Sequence, residues 1–152
     1  MNKTAKEVMT TDVIVAKEED SIADVAKLLI EERIGGLPVI NSENKVVGII
    51  SETDIIKKEK YIEPPMFVNL LEGIIFLDDI RKMENDIKKV AAYKVEDLMS
   101  KDIIMVNEND SFDYVANIMI KKSINRVPVV DDDSKLKGII CRYDIIKALY
   151  NE

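Results

Sequence analysis

Ser51, Thr53 and Asp54 lie within four positions of one another in "GIISETDIIK", residues 48–57. Two hydroxyls beside a carboxylate, where an apolar strand gives way to a helix, suggest two chemistries. The first is recognition of a sugar-linked purine. The carboxylate can accept from a ribose diol. The hydroxyls can meet ribose or phosphate, and unpaired N–H groups at the helix start favour an anion. The flanking isoleucines and valines can make an apolar slot for a flat base. The second is purely local, since Ser51-x-x-Asp54 is also a capping box that seals a helix start. Gly48 adds a further sign. Glycine inside a strand costs stability unless something approaches the backbone closely.

The corner is written twice. "GIICRYDIIK" follows at residues 138–147, with Cys141 at the serine position and Asp144 retained. Sulfur is a poor cap, so the persistent aspartate needs another reason, either function or inheritance from a duplication. The repeat extends well beyond the corner. Residues 9–57 align without a gap on 99–147, and about four positions in ten are identical. A match of this length marks duplication of a structural unit.

The elements that position the corner follow from periodicity. "VIV" (13–15) and "IIM" (103–105) read as short strands. Ser21 and Ser111 read as N-caps. Ile22, Val25, Ala26, Leu29 and Ile30 form a helical stripe behind the first, as do Phe112, Val115, Ala116, Met119 and Ile120 behind the second. All are expected in the core. "LPVI" and "VPVV" are strands whose prolines belong at a start or an edge. "NSENK" and "DDDSK" are turns, and "VVGII" and "LKGII" are the hairpin partners. The fold class is α/β (α+β), with two β-α-β-β-α units. One unit alone has a thin core, and two packed together resolve this. The predicted division is residues 1–60, a helical insert at 61–92, and 93–152. In the insert, Glu63-Pro64-Pro65 breaks the preceding helix. Phe67, Leu70, Leu71, Ile74 and Ile75 mark one helical face, and Ile80, Met83, Ile87, Val90 and Ala91 mark a second behind Asp78 or Asp79. So apolar an insert must cover something, either its own module or a subunit interface, and partial use at a homodimer interface is the expectation.

Composition narrows the function. The 152-residue chain is 47% hydrophobic and 34% charged, with net charge −7. An acidic chain repels phosphate backbones, so nucleic acid is not expected as a partner. No apolar run has membrane-spanning length and the opening lacks a signal-peptide core, so a cytoplasmic location is expected and no membrane partner. The absence of histidine removes the commonest general base and the commonest zinc ligand. No phosphate loop or metal-ligand cluster is present, so the chain is expected to be no enzyme and to need no metal. The lone Cys141 reads as packing, with a redox role requiring an exposed thiol of lowered pKa.

On these residues the doubled unit resembles a tandem pair of cystathionine-β-synthase (CBS) domains, a Bateman module. The quoted matches are "VMTTDVIVAKEEDSIADVAKLL", "GGLPVINSENKVVGIISETDII" and their counterparts in the second copy. The resemblance implies repeats packed about a pseudo-two-fold axis, with two clefts that take an adenosine-containing regulatory ligand: AMP, ADP, ATP or S-adenosylmethionine. Carried onto this chain, the first cleft would combine Ser51, Thr53 and Asp54 with Asp102, Ile103 and Ile104, and with Asn125, Arg126 and Pro128. Arg126 would be the phosphate cation. The second and weaker cleft would combine Asp144 with Asp12, Val13 and Ile14, and with Ile34, Gly35, Gly36 and Pro38. Cys141 and the two glycines depart from the pattern there. Arg142 could substitute as the cation, and three states stay open for this cleft: empty, filled by a less charged adenosyl compound, or opened by the glycines to a larger ligand. The resemblance also implies a homodimer that regulates another protein. The alternative is a ligand-free dimerisation or interaction scaffold.

Overall fold

The structure is a computed structural model that describes residues 2–59 and 93–150. The insert read at 61–92 lies outside the described residues, with its Pro-Pro break, its two helices and its interface role.

Each repeat builds one three-stranded sheet. In the first, β1 (Ala16–Lys17) runs parallel to β2 (Gly36–Ile40), which pairs antiparallel with β3 (Val46–Ser51). The helices are α1 (Ala5–Val8), α2 (Ile22–Glu32) and α3 (Glu52–Glu59). The second repeat matches with α4 (Val95–Leu98), β4 (Val106–Asn107), α5 (Phe112–Lys121), β5 (Arg126–Val130), β6 (Leu136–Cys141) and α6 (Arg142–Tyr150). Ser21 and Ser111 cap α2 and α5 as expected, accepting from the N–H of Asp24 at 3.1 Å and of Tyr114 at 3.2 Å. No helix among the described residues is long and apolar enough to cross a membrane.

Two expectations need correction, and a third, on the prolines, holds in a form the sequence did not specify. The first strands begin at Ala16 and Val106, and residues 13–15 and 103–105 are irregular. Only two residues of each first strand reach a partner, so the apolar stretches before them carry no ladder, and in the second repeat Ile103 and Ile104 line the cleft instead. Pro38 and Pro128 occupy the central strands. Pairing with β1 covers only Val39 and Ile40, and pairing with β4 only Val129 and Val130, so both prolines are at an edge on that flank. Ile30 and Ile120 are not core residues. They are 77% and 75% exposed, because the residue eight positions beyond the start of each stripe has rotated past the buried face.

The two repeats are joined by a reciprocal exchange. Residues 3–10 dock on the second repeat. The N–H of Phe112 donates to the Lys3 carbonyl at 2.8 Å and that of Ala5 to Asp110 at 2.8 Å, while Thr10 and Ile139 exchange two bonds of 2.9 Å. Residues 93–100 dock on the first repeat by the same pattern: Ile22 to Tyr93 and Val95 to Asp20, each 2.9 Å, and a reciprocal pair between Ile49 and Ser100. Accordingly Ala5, fully buried, belongs to the second core with Val115 and Ile140, and Val95 belongs to the first with Val25 and Ile50. The exchange explains the strand glycines. A Cβ on Gly48 would lie 2.7 Å from Met99 Sδ and 2.9 Å from the Ser100 carbonyl oxygen. One on Gly138 would lie 2.5 Å from Met9 Sδ and 2.8 Å from the Thr10 carbonyl oxygen. The close approach inferred from glycine in a strand is that of the partner repeat's opening segment.

Replacing Gly48 with alanine is therefore expected to destabilise the fold by about 1–3 kcal/mol, the usual range for overpacking. The check is urea or thermal unfolding of Gly48→Ala beside the unsubstituted chain, and an unchanged midpoint would contradict the account.

Candidate functional site

The first corner meets the second repeat around one open cavity of about 280 Å³. Its lining includes Ser51, Thr53, Asp54, Asp102, Ile103, Ile104, Asn125 and Arg126. These are eight of the nine residues placed in the first cleft on resemblance; the ninth, Pro128, is buried within β5 and is not in the lining. Three short segments distant in sequence thus converge: the β3–α3 corner, the irregular stretch before β4, and the loop leading into β5.

Local chemistry shows which groups are committed. The N–H and Oγ of Ser51 both donate to Asp54 Oδ2 at 3.0 Å, and the Asp54 N–H donates back to Ser51 Oγ at 3.4 Å. The capping box therefore exists. It uses one carboxylate oxygen, and Asp54 Oδ1 makes no hydrogen bond among the described residues. The Thr53 side chain is exposed and equally uncommitted. Half-buried Ile49, Ile103, Ile104 and Ile124 supply the apolar part of the lining.

Ile49, Glu52, Ser100, Ser123, Ile124 and Gly35 also line the cavity but were not placed in this cleft by sequence. Ser123 and Ile124 directly precede Asn125 and could have been found by extending that segment. Ser100 enters through the exchange, which left no local signal. Glu52 changes the electrostatics. Together with Asp54 and Asp102 it sets three carboxylates against the single guanidinium of Arg126.

The second corner differs in its commitments. The Cys141 N–H donates to Asp144 Oδ2 at 2.7 Å, so the aspartate caps α6 without help from the side chain at 141. Its Oδ1 receives a long 3.5 Å bond from Thr10 Oγ1. Asp144 lines a polar hollow of about 270 Å³ with Lys3, Glu7, Thr10 and Lys147. None of Asp12, Val13, Ile14, Ile34, Gly35, Gly36, Pro38 and Arg142 lines that hollow. The room expected before Gly35 and Gly36 is occupied by Arg126. A Cβ on Gly35 would lie 2.8 Å from Arg126 Nη2, and one on Gly36 would lie 2.6 Å from Nη1. Among the described residues no group of histidine, cysteine and carboxylates could hold a metal ion.

A CBS-domain family model matches residues 5–61 and 95–151, and the chain belongs to that family. Over 153 aligned residues it is 35% identical to the uncharacterised protein MJ1426 of Methanocaldococcus jannaschii, covering 95% of this chain and 89% of that one. It is 31% identical to the chloroplastic CBSX1 of Arabidopsis thaliana, of which it spans 63%. Among solved structures, CBSX2 in complex with AMP superposes with a TM-score of 0.73 at 27% identity, over 96% of this chain and 95% of that one. The CBS domain pair of MJ0100, in complex with 5′-methylthioadenosine and S-adenosyl-L-methionine, superposes with a TM-score of 0.69 at 28% identity, over 98% and 97%.

Burial pushes the Cys141 thiol up from its ordinary value and the nearby Asp144 carboxylate acts in the same direction, while Arg126 opposes both. Little thiolate is then present at neutral pH, which argues against redox sensing. Alkylation of Cys141 by iodoacetamide at pH 7.5 is expected to be slower than that of a free thiol, and to accelerate as pH rises past the ordinary thiol range. A rate equal to the free thiol at pH 7.5 would show that the environment does not hold the proton.

Proposed function

We propose that this chain is a regulatory module that binds an adenosine-containing ligand in the cleft between the β3–α3 corner and the second repeat. The observation that carries the reading is Asp54 Oδ1. It is a carboxylate oxygen left free by the cap, and it belongs to a residue lining a cavity that also has hydroxyls, isoleucines and one guanidinium. It can accept from a ribose diol, the isoleucines can sandwich a base, and Arg126 can take one phosphate. Relatives solved with AMP and with S-adenosyl-L-methionine support the same ligand class. The balance of three carboxylates to one cation favours a monophosphate or a sulfonium compound over a triphosphate. No catalytic group is required.

Thermal unfolding with AMP, S-adenosylmethionine and ATP tests this. A ligand at 100 times its dissociation constant adds about 2.7 kcal/mol to stability. AMP or S-adenosylmethionine is expected to give the larger shift. Asp54→Asn retains one oxygen for the cap but turns an amide toward the ligand, so it should abolish the shift. Asp144→Asn should leave most of it. Equal loss in both variants would refute the assignment to the first cleft.

Binding acts as a signal only if the ligand prefers one packing of the module over another. The surface that would transmit it is apolar. Ile30 and Ile56 in the first repeat, and Ile120, Ile146, Leu149 and Tyr150 in the second, are each more than half exposed. Ile30 and Ile56 border a groove between α2 and α3 with Ala26, Leu29, Ile34 and Ile55. The same face recurs in both repeats, and a second copy of the chain can cover both at once. A homodimer that presents its state to a regulated protein follows. Sedimentation of Ile30→Glu/Ile56→Glu should report a monomer where the unsubstituted chain sediments as a dimer; the same mass for both would count against this interface.

A further inference from the structure

The two clamps between the repeats share a backbone pattern and differ in charge. In one, the Lys6 N–H donates to the Glu108 carbonyl at 2.9 Å, and Lys6 Nζ lies 3.3 Å from Glu108 Oε2. That oxygen is buried and accepts no hydrogen bond among the described residues, so the lysine charge is what offsets it. In the other clamp, the Glu96 N–H donates to the Glu18 carbonyl at 3.0 Å. Glu96 stands where the first clamp has Lys6, and Glu18 where it has Glu108. Neither forms an ion pair among the described residues.

The neighbouring residues widen the contrast. Residues 3–10 carry Lys3 and Lys6 against Glu7, and dock on the turn 107–110, whose charges are Glu108 and Asp110. Residues 93–100 carry Lys94 against Glu96 and Asp97, and dock beside Lys17, Glu18, Glu19 and Asp20. Lys17 and Lys94 are exposed. A positive segment therefore meets an acidic turn on the second repeat, and a negative segment meets an acidic turn on the first. Like charges set side by side weaken a contact that opposite charges would strengthen.

We propose that residues 93–100 form a strap poised to leave the first repeat, held by backbone hydrogen bonds against its own charge, while residues 3–10 form a lasting clamp on the second. The strap is one wall of the first cleft. Its Ser100 lines the cavity, and it runs on into Asp102, Ile103 and Ile104. Opening therefore takes the cleft apart, and cations that screen Glu18 and Glu96 close it.

Amide hydrogen exchange of the full chain, followed residue by residue by NMR without nucleotide, tests this. It is run at about 0.01 M and about 1 M salt, where the screening length is about 30 Å and about 3 Å. The reporters are the N–H groups of Ile49 and Ser100 in the strap and of Thr10 and Ile139 in the clamp, which make equivalent bonds of 2.9 to 3.0 Å. At low salt the strap amides are expected to exchange faster once intrinsic rates are divided out. The ratio of strap to clamp rates should fall about two- to fivefold at high salt, the scale of an exposed charge pair. Glu96→Lys, which restores the residue of the first clamp, should slow the strap amides and abolish that fall. Glu96→Gln should slow them by less. A ratio independent of salt would overturn the proposal, as would strap amides that exchange alike in Glu96→Lys and the unsubstituted chain. With no nucleotide present, either failure leaves the ligand reading intact.

Discussion

The molecule depends on the docking of each repeat's opening segment on the other repeat. Four backbone hydrogen bonds of about 3 Å, between Thr10 and Ile139 and between Ser100 and Ile49, extend each sheet with a strand-like segment from its counterpart. Ala5 and Val95 then complete cores to which they do not belong by sequence. Every segment that lines the first cleft is held by this arrangement. Ser100 and Asp102 line the same cavity as Asp54 because residues 93–100 are clamped to β3, and the glycine at position 48 is what permits the clamp.

Given that frame, the two corners diverge through small changes. Both aspartates seal a helix through the N–H at the strand end. Asp54 Oδ1 accepts no hydrogen bond among the described residues, whereas Asp144 Oδ1 accepts from Thr10. The cap at residue 54 thus does not exclude the proposed recognition role, because it uses only one of the two carboxylate oxygens. At residue 144 the same group serves structure on both sides. Glu52 and Arg142 occupy the same helical position with opposite charge, which separates the two corners further.

Much of this was legible in the sequence, for physical reasons. Caps, turns and helix stripes are local, so Ser21, Ser111 and the start of α3 followed from residue type and spacing. The duplicated corner identified the cavity-lining segments once the family resemblance set their pairing. Gly48 marked a close approach, but the approaching atoms belong to residues some fifty positions away. No local pattern carries that information. Ile30 looked like core because a helical stripe does not say where the buried arc ends. The contact of Arg126 with Gly36 was invisible for the same reason as the exchange, since both depend on how two repeats face each other. Read singly, the glycines suggested open space; read as a pair with their partner position, they mark space already taken.

The exchange also bears on how the chain emerges from a ribosome. Residues 3–10 are made long before the β6 edge that receives them, at Ile139. At about 5–20 residues per second the delay is on the order of ten seconds. Throughout that interval residues 3–10 lack the surface on which they dock, and Ala5 and Val8 lack the core they join in the fold. Closure of the second half is accordingly a late, long-range event of the kind that slows folding. The first half can assemble sooner, since its own clamp, residues 93–100, leaves the ribosome well before β6 does.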